Sequence, residues 1–120
     1  MRTYRVLEVA VRSTDEVESE IKETARLFKA LSDETRLRLL KLLAEQAPEG
    51  ALCVGALAMS LGITQSATSQ HLAVLRAAGL VVDERRGYFV HYRLNRARLG
   101  RWRAQLRVAL GEELAEALAG

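Results

Sequence analysis

The segment from Leu57 to Leu75 constrains the fold more than any other part of the chain. Its sequence, LAMSLGITQSATSQHLAVL, has helical spacing of apolar residues on both sides of Gly62. Glycine accepts the positive φ angle that ends one helix and redirects the chain. Thr64 or its neighbour is suited to cap the next helix. The segment therefore predicts two short helices joined by a tight turn, which is a helix-turn-helix.

The second of these helices has a polar face of an uncommon kind. On a helical wheel Thr68, Leu72 and Leu75 share one stripe, which is the predicted core. The opposite face carries small amide and hydroxyl groups, where an ordinary solvated helix would carry Lys and Glu. Such groups suit a helix lying in the major groove of DNA, because they hydrogen-bond to base edges and phosphates. A plain surface helix is the alternative. The predicted DNA contacts are Thr64, Gln65, Ser66, Ser69, Gln70, His71 and Arg76.

A β-rich stretch follows this helix. After Gly79 the sequence LVVDERRGYFVHYRL contains two strand-like runs on either side of residues 84–87, which predicts a β-hairpin. A hairpin directly after a DNA-reading helix is a wing. Arg85 and Arg86, at its predicted tip, are placed to reach backbone phosphates or the minor groove.

The charge of the chain is unevenly distributed. The net charge is only +3, but residues 64–103 carry eight Arg against Asp83 and Glu84, a net charge of +6. Residues 1–63 have a net charge of −1 and residues 104–120 one of −2. Double-stranded DNA, a polyanion, is therefore expected to bind at the predicted helix and wing.

Most of the remaining chain is predicted to be helical. Residues 1–14 are expected to form an N-terminal extension, and residues 15–118 one domain. Ser32 is predicted to cap a helix with the sequence DETRLRLLKLLAE. The leucines of this helix lie on nearly every side of its axis, which predicts a helix buried between several neighbours.

Two features complete this outline. Pro48-Glu49-Gly50 predicts a break, followed by a short extended segment at Ala51–Cys53. From Leu99 to Leu118, apolar residues recur every three or four positions along one closing helix. In a chain of 120 residues, such a stripe fits either a partner subunit or packing on its own domain.

The order and the sequences of these elements closely resemble those of the ArsR/SmtB family of bacterial winged-helix repressors. The resemblance covers Leu27 to Leu94 and lies in LFKALSDETRLRLLKLL, LCVGALAMSLGITQSATSQHLAVLRAAGLV and ERRGYFVHYRL. It implies a mainly α winged helix-turn-helix with a small β-hairpin wing, in the order α-α-(β)-α-α-β-β-α.

The resemblance also implies a function. Members of the family are homodimers that bind inverted repeats in promoters until an inducer releases them. In a two-fold dimer the two reading helices would enter successive major grooves about 34 Å apart. The first and last helices form the family's dimer interface, which agrees with the apolar stripes. The interface residues expected here are Val17, Ile21, Phe28, Leu99, Trp102, Leu106 and Leu110.

The family's metal sites do not carry over to this chain. One site uses Cys-Val-Cys, where this chain has Cys53-Val54-Gly55, and the other aligns with Arg96, Arg98, Ala109 and Glu112. Soft metals need three or four convergent nitrogen or sulfur ligands, and the permanent charge of arginine repels a cation. We therefore expect no metal and no cofactor. Whether an inducer exists, such as a small organic molecule, is left open.

Three residues have two interpretations each. Cys53 fits either a thiol sensor or a small buried apolar residue. A lone cysteine also excludes an intrachain disulfide and fits a reducing compartment. His71 is placed either to touch a phosphate or to make a structural hydrogen bond, and His91 either contacts DNA or faces water.

Other classes of protein fit the sequence less well. It contains no apolar run long enough for a membrane span or a signal peptide, so a cytoplasmic location is expected. No arrangement of histidines, acids or glycines resembles an enzyme site. The main alternative function is that of a winged-helix module that binds protein instead of DNA. The polar face of the predicted reading helix and the clustered arginines argue against this alternative.

Overall fold

The computed structural model describes residues 14–47 and 50–119. Expectations for residues 1–13 and for Pro48 and Glu49 lie outside the described residues. The order of elements confirms a mainly helical winged helix-turn-helix with a small antiparallel sheet. The elements are α1 (Thr14–Leu31), α2 (Glu34–Ala44), β1 (Leu52–Cys53), α3 (Val54–Leu61), α4 (Gln65–Ala77), β2 (Val81–Arg86), β3 (Phe89–Leu94), α5 (Arg96–Leu110) and α6 (Glu112–Ala119).

The described residues fall into two compact units. The larger, residues 27–99, holds α2, the helix-turn-helix and the sheet, and we call it the winged unit. The smaller, residues 14–26 and 100–119, holds the remainder of the first and last helices, and we call it the terminal-helix unit. The side chains with at most 1% exposure that form the core of the winged unit are Leu27, Leu39, Leu43, Leu57, Thr68, Leu72, Leu75, Leu80 and Val81.

The turn of the helix-turn-helix has the predicted geometry. Gly62 ends α3 with a φ of 68°, a left-handed conformation that costs a residue with a Cβ free energy. Thr64 is the N-cap of α4, where its hydroxyl oxygen accepts a hydrogen bond from the backbone N–H of Ala67 at 3.0 Å. The glycine and the threonine therefore set where one helix ends and the next begins.

The predicted cap of α2 is wrong by one residue. Asp33 is the N-cap, and its carboxylate accepts a hydrogen bond from the N–H of Arg36 at 3.0 Å. The hydroxyl of Ser32 instead donates to the carbonyl of Lys29, at the end of α1, at 2.8 Å. The short α1–α2 link thus uses one side chain for each helix end.

The expectation that α2 is buried on almost every side is also wrong. Leu39 and Leu43 are fully buried, but Leu37 is 51% exposed. One face of α2 packs in the core of the winged unit and another faces outward.

The sheet has the strand order β1-β3-β2, with both pairs antiparallel. The predicted extended segment before the helix-turn-helix is confirmed as β1. The hairpin turn lies later than predicted, because β2 continues through Arg86, which pairs with Phe89. The turn is formed by Gly87, with a φ of 65°, and Tyr88.

In the terminal-helix unit, the closing helix is not continuous as predicted. Gly111, with a φ of 86°, separates α5 from α6. Across this break Arg107 forms an ion pair with Glu112. Gln105 of α5 donates to the carboxylate of Glu23 in α1 at 3.4 Å.

Candidate nucleic-acid interface

The predicted division of α4 into two faces is confirmed. Thr68, Leu72 and Leu75 have no exposed surface, and the hydroxyl of Thr68 donates to the carbonyl of Thr64 at 2.8 Å. This hydrogen bond offsets the cost of burying the hydroxyl in the core. The residues of the opposite face are all exposed: Gln65, Ser66, Ser69, Gln70, Ala73 and Arg76.

This outward face contains no acidic residue. From Gln65 to Arg76 it carries amides, hydroxyls, one methyl group and one guanidinium. Such a surface offers hydrogen-bond donors and acceptors to a polyanion without repelling it. We call the four residues Gln65, Ser66, Ser69 and Gln70 the reading face.

Two predicted contact residues also act within the helix-turn-helix. Thr64 is exposed but uses its hydroxyl oxygen to cap α4. The side-chain amide of Gln65 lies next to α3, since a Cβ built on Gly55 would be 3.6 Å from its Nε2 atom. This distance is an ordinary van der Waals contact, which places the amide close to the first turn of α3.

Arg76 connects α4 to the wing. Its Nη1 donates to Oδ2 of Asp83 in β2 at 3.0 Å. The two side chains are 54% and 36% exposed, so water and salt screen the pair. Arg76 therefore lies beside the reading face with its charge partly balanced.

The wing presents arginine and aromatic side chains together. Arg85 is exposed in β2, while Arg86 lies next to the turn and donates to the carboxylate of Glu84 through Nε at 3.1 Å and Nη2 at 2.5 Å. Tyr88 is 94% exposed and Phe89 is 65% exposed. Sequence reasoning did not include this aromatic pair among the contact residues, although its place after the turn glycine was a usable signal.

His71 faces α2 instead of the reading face. Its Nδ1 lies 3.4 Å from Nη1 of Arg36 and 3.7 Å from Oδ2 of Asp33. The hydrogen bond from the backbone N–H of Arg36 lowers the pKa of Asp33 most, and the Arg36 guanidinium, the His71 ring and the backbone N–H of Thr35 lower it further against the effect of desolvation. This geometry favours the structural interpretation of His71 over a phosphate contact.

The predicted interface residues are incompletely buried in one chain. Ile21 is 41% exposed and Phe28 is 42% exposed. Apolar residues on α5 and α6, among them Val108 and Leu114, are exposed as well. Residues of intermediate exposure are Val17, Leu99, Trp102, Leu106 and Leu110.

Cys53 lies at the junction of β1 and α3. It is the N-cap position of α3 but makes no side-chain cap hydrogen bond. Its partner across the sheet is His91, which in turn pairs with Glu84. Within residues 14–47 and 50–119, no group of three or more His, Cys, Asp or Glu side chains is arranged to hold a metal ion. Thiol sensing by Cys53 remains a prediction.

The two arginines aligned with the family's second metal site have structural contacts. Arg96 donates to the carbonyl of Gln46 at 3.3 Å. Arg98 is only 8% exposed and lies against Gly79, where an added Cβ would be 3.4 Å from its Cγ. Sequence reasoning missed this buried arginine, because nothing in its helical position distinguishes it from its exposed neighbours.

No helix in the described part of the chain has both the length and the apolar character needed to cross a lipid bilayer.

Comparison with known proteins identifies relatives of the same architecture. The family model described as "Bacterial regulatory protein, arsR family" matches residues 33–82. The arsenical resistance operon repressor of Escherichia coli (strain K12) is 49% identical over 70 residues, which cover 58% of this chain and 57% of that protein. The chain thus matches little more than half the length of this curated relative.

Two solved structures extend the similarity to most of the chain. An ArsR-like transcriptional regulator from Rhodococcus sp. RHA1 is 34% identical with a TM-score of 0.65, covering 82% of this chain and 88% of that one. A homodimeric winged helix-turn-helix DNA-binding domain from Mycobacterium bovis is 30% identical with a TM-score of 0.65, covering 88% and 93%. The similarity therefore reaches beyond the helix-turn-helix to the flanking helices.

Proposed function

The chain belongs to the arsR family of bacterial regulatory proteins. We propose that it is a sequence-specific transcriptional repressor that binds DNA as a homodimer. The observation that carries the proposal is the reading face of α4, which is exposed, polar and free of acidic residues. Short amides and hydroxyls in this arrangement match the hydrogen-bonding groups at the floor of a major groove.

The wing supplies the second part of the proposed contact. Arg85 is exposed, and Tyr88 and Phe89 extend the surface at the turn. Arginine contacts to phosphates would fix the register of α4 on the duplex, while the reading face distinguishes sequences. The proposed operator is an inverted repeat, because a two-fold dimer presents two identical reading helices.

The apolar surface of the first and last helices supports the proposed homodimer. Ile21 and Phe28 expose two-fifths of their surface in the single chain, and the similar domain from Mycobacterium bovis is homodimeric. That residues 15–118 form one domain with dimerising ends is part of this proposal. Ile21→Asp is expected to convert a dimer to a monomer in sedimentation velocity, whereas the neighbouring exposed Lys22→Ala is expected to leave the dimer intact. Equal sedimentation of both variants as dimers would exclude Ile21 from the interface.

DNA binding is tested with the DNA immediately upstream of the protein's own gene. Fluorescence anisotropy should show saturable binding that is tighter than binding to a scrambled duplex of equal length. Such a regulator would act in the bacterial cytoplasm, where its operator lies. Equal affinity for the two duplexes would contradict sequence-specific repression.

Release from DNA is a separate question. We propose that any inducer is not a metal held at the family's two usual positions, since Gly55, Arg96 and Arg98 stand where ligands are needed. A small organic molecule, a reactive species acting on Cys53 and a regulatory partner are the remaining options, as is the absence of any inducer. Thermal-shift screening of metals and metabolites, followed by measurement of DNA release, would identify the class.

A further inference from the structure

The side chain of Arg36 joins the end of α1 to the middle of α4. Its Nε donates to the carbonyl of Ala30 at 2.6 Å and its Nη2 to that of Lys29 at 3.4 Å. These carbonyls belong to the last turn of α1, where helix geometry leaves them without partners in the helix. The third nitrogen, Nη1, lies 3.4 Å from Nδ1 of His71 in α4. One guanidinium thus contacts two helices that are distant in sequence.

The contact with His71 depends on the protonation state of the ring. Arginine has only donors, so a hydrogen bond from Nη1 requires Nδ1 of His71 as the acceptor and a neutral ring with its proton on Nε2. A second proton would occupy Nδ1, remove the acceptor and place two positive charges side by side. The remaining partner would be Asp33, whose Oδ2 lies 3.7 Å from Nδ1.

We propose that Arg36 and His71 are positioning residues that hold the DNA-reading helix against the end of α1, and that protonation of His71 breaks this contact and weakens DNA binding. The inference rests on the proposed function, because DNA binding is one of its readouts. It assigns to His71 an indirect role instead of a contact with DNA.

Among residues 14–47 and 50–119, the elements that pack on α4 bring few other charges to this ring. Helix α3, which packs on α4, has the sequence VGALAMSL and contains no ionisable side chain. In β2, which also packs on α4, Asp83 is paired with Arg76. From α2 and its cap, Asp33 and Arg36 contact the ring, while Glu34 pairs with Arg38 in an exposed position. A protonated His71 ring would therefore lie close to one negative group, the Asp33 carboxylate, and one positive group, the Arg36 guanidinium.

The direction of the pH effect distinguishes this proposal from a simple gain of positive charge at low pH. Adding positive charge to a DNA-binding protein normally strengthens its attraction to phosphates. Histidine is the side-chain type that changes charge between pH about 5 and about 8, so affinity for the upstream DNA is compared at pH about 8 and about 5.5. We expect the full-length wild-type protein to bind about fivefold more weakly at the lower pH, the loss that corresponds to one hydrogen bond of this kind.

Three variants isolate the contact. His71→Asn retains an acceptor near the position of Nδ1 but does not titrate, so it should abolish the acid loss of affinity. Arg36→Gln should weaken binding at pH about 8 by about fivefold and also remove the acid loss. Arg38→Gln is the matched control on the same helix, because Arg38 is exposed and pairs with Glu34 of that helix, and it should keep the wild-type pH profile.

A measurement without DNA tests the contact directly. In ¹⁵N NMR of the wild type at pH about 8, the ring of His71 should show an Nε2–H tautomer with Nδ1 as acceptor, and Arg36→Gln should change both the Nδ1 chemical shift and the tautomer ratio. A His71 ring with the same tautomer ratio in both proteins would overturn the inference. So would acid loss of affinity that persists in His71→Asn. Absence of DNA binding by the wild type at both pH values would instead contradict the proposed function, leaving the NMR result to decide on the contact.

Discussion

Arg76 in the last turn of α4 donates a hydrogen bond to Asp83 in β2 over 3.0 Å. The pair joins the helix that carries the reading face to the first strand of the wing. Because both side chains are more than one-third exposed, the pair contributes little to the free energy of unfolding. We expect the pair instead to reduce the positive charge of the DNA-binding surface and to hold α4 and the wing in a fixed relative position.

Removing the carboxylate of Asp83 should strengthen binding to DNA of any sequence. In Asp83→Asn the negative charge is absent and Arg76 is free to contact a phosphate. The slope of log K against log salt concentration should become steeper by about one unit. Anisotropy titrations at several salt concentrations measure this, with Asp83→Glu as the charge-preserving control. An unchanged slope in Asp83→Asn would mean that Arg76 stays away from the phosphates.

The reading face should determine sequence preference. Gln70→Ala and Ser69→Ala remove hydrogen-bonding groups from exposed positions, so each should cost about 1–3 kcal/mol of discrimination at the base pair it contacts. Affinity for a scrambled duplex should change much less. Binding to a library of single-base operator variants measures the effect. A uniform loss across all variants would show that these residues contact only the backbone.

Arg85 should behave differently from the reading face. Its exposed guanidinium in the wing is expected to contact phosphates, so Arg85→Ala should weaken binding to all sequences about equally. The salt slope should fall by about one unit. Salt-dependent anisotropy with Arg38→Ala as an exposed control measures both effects. Retention of the full salt slope in Arg85→Ala would place the wing away from the duplex.

The sequence predicted those features that depend on neighbouring residues. Gly62 and Thr64 define the turn because a positive φ angle and an N-cap are local properties, and the helical period of α4 separates Leu72 from Gln70. The cap of α2 was misplaced by one residue because Ser32 and Asp33 are both good caps, and only the geometry of the α1–α2 link decides between them.

Contacts between distant residues were not predictable in this way. Arg36 and His71 are separated by 35 positions, and a helical wheel places His71 only at the edge of the core. Arg98 is buried against Gly79, a residue on the other side of the hairpin in the sequence. The break at Gly111 was missed because the apolar spacing continues across it in the sequence.

The turn glycine should be required for stability. At Gly62 an added Cβ meets no atom within 4 Å, so Gly62→Ala tests conformational strain alone. The positive φ should destabilise the protein by about 1–2 kcal/mol. Gly100→Ala is the matched control, because Gly100 lies within α5 with equally open surroundings, and there alanine should stabilise by about 0.5–1 kcal/mol. Urea denaturation measures both, and equal effects would contradict the account of the turn.

Ionisation of Asp33 should make the free energy of unfolding depend on pH. Because its pKa in the folded protein lies below the ordinary value of 3.8, the ionised cap stabilises the fold above that pH. The contribution is lost as the pH falls through the lower folded value. Asp33→Asn, which retains a cap acceptor without titrating, should therefore show a weaker fall in urea midpoint between pH about 5 and about 2. An identical fall in both proteins would show that ionisation of Asp33 has no effect on stability.

Hydroxyl-radical footprinting on the DNA upstream of the protein's own gene tests whether α4 is the DNA-reading helix. If two α4 helices of a dimer read successive major grooves, the protein should protect two segments whose centres are about one helical turn, or about 34 Å, apart. Simultaneous replacement of Gln65, Ser69 and Gln70 by alanine should abolish that pattern. Protection that is absent in the wild type, or unchanged in the triple variant, would contradict the assignment of α4 as the DNA-reading helix.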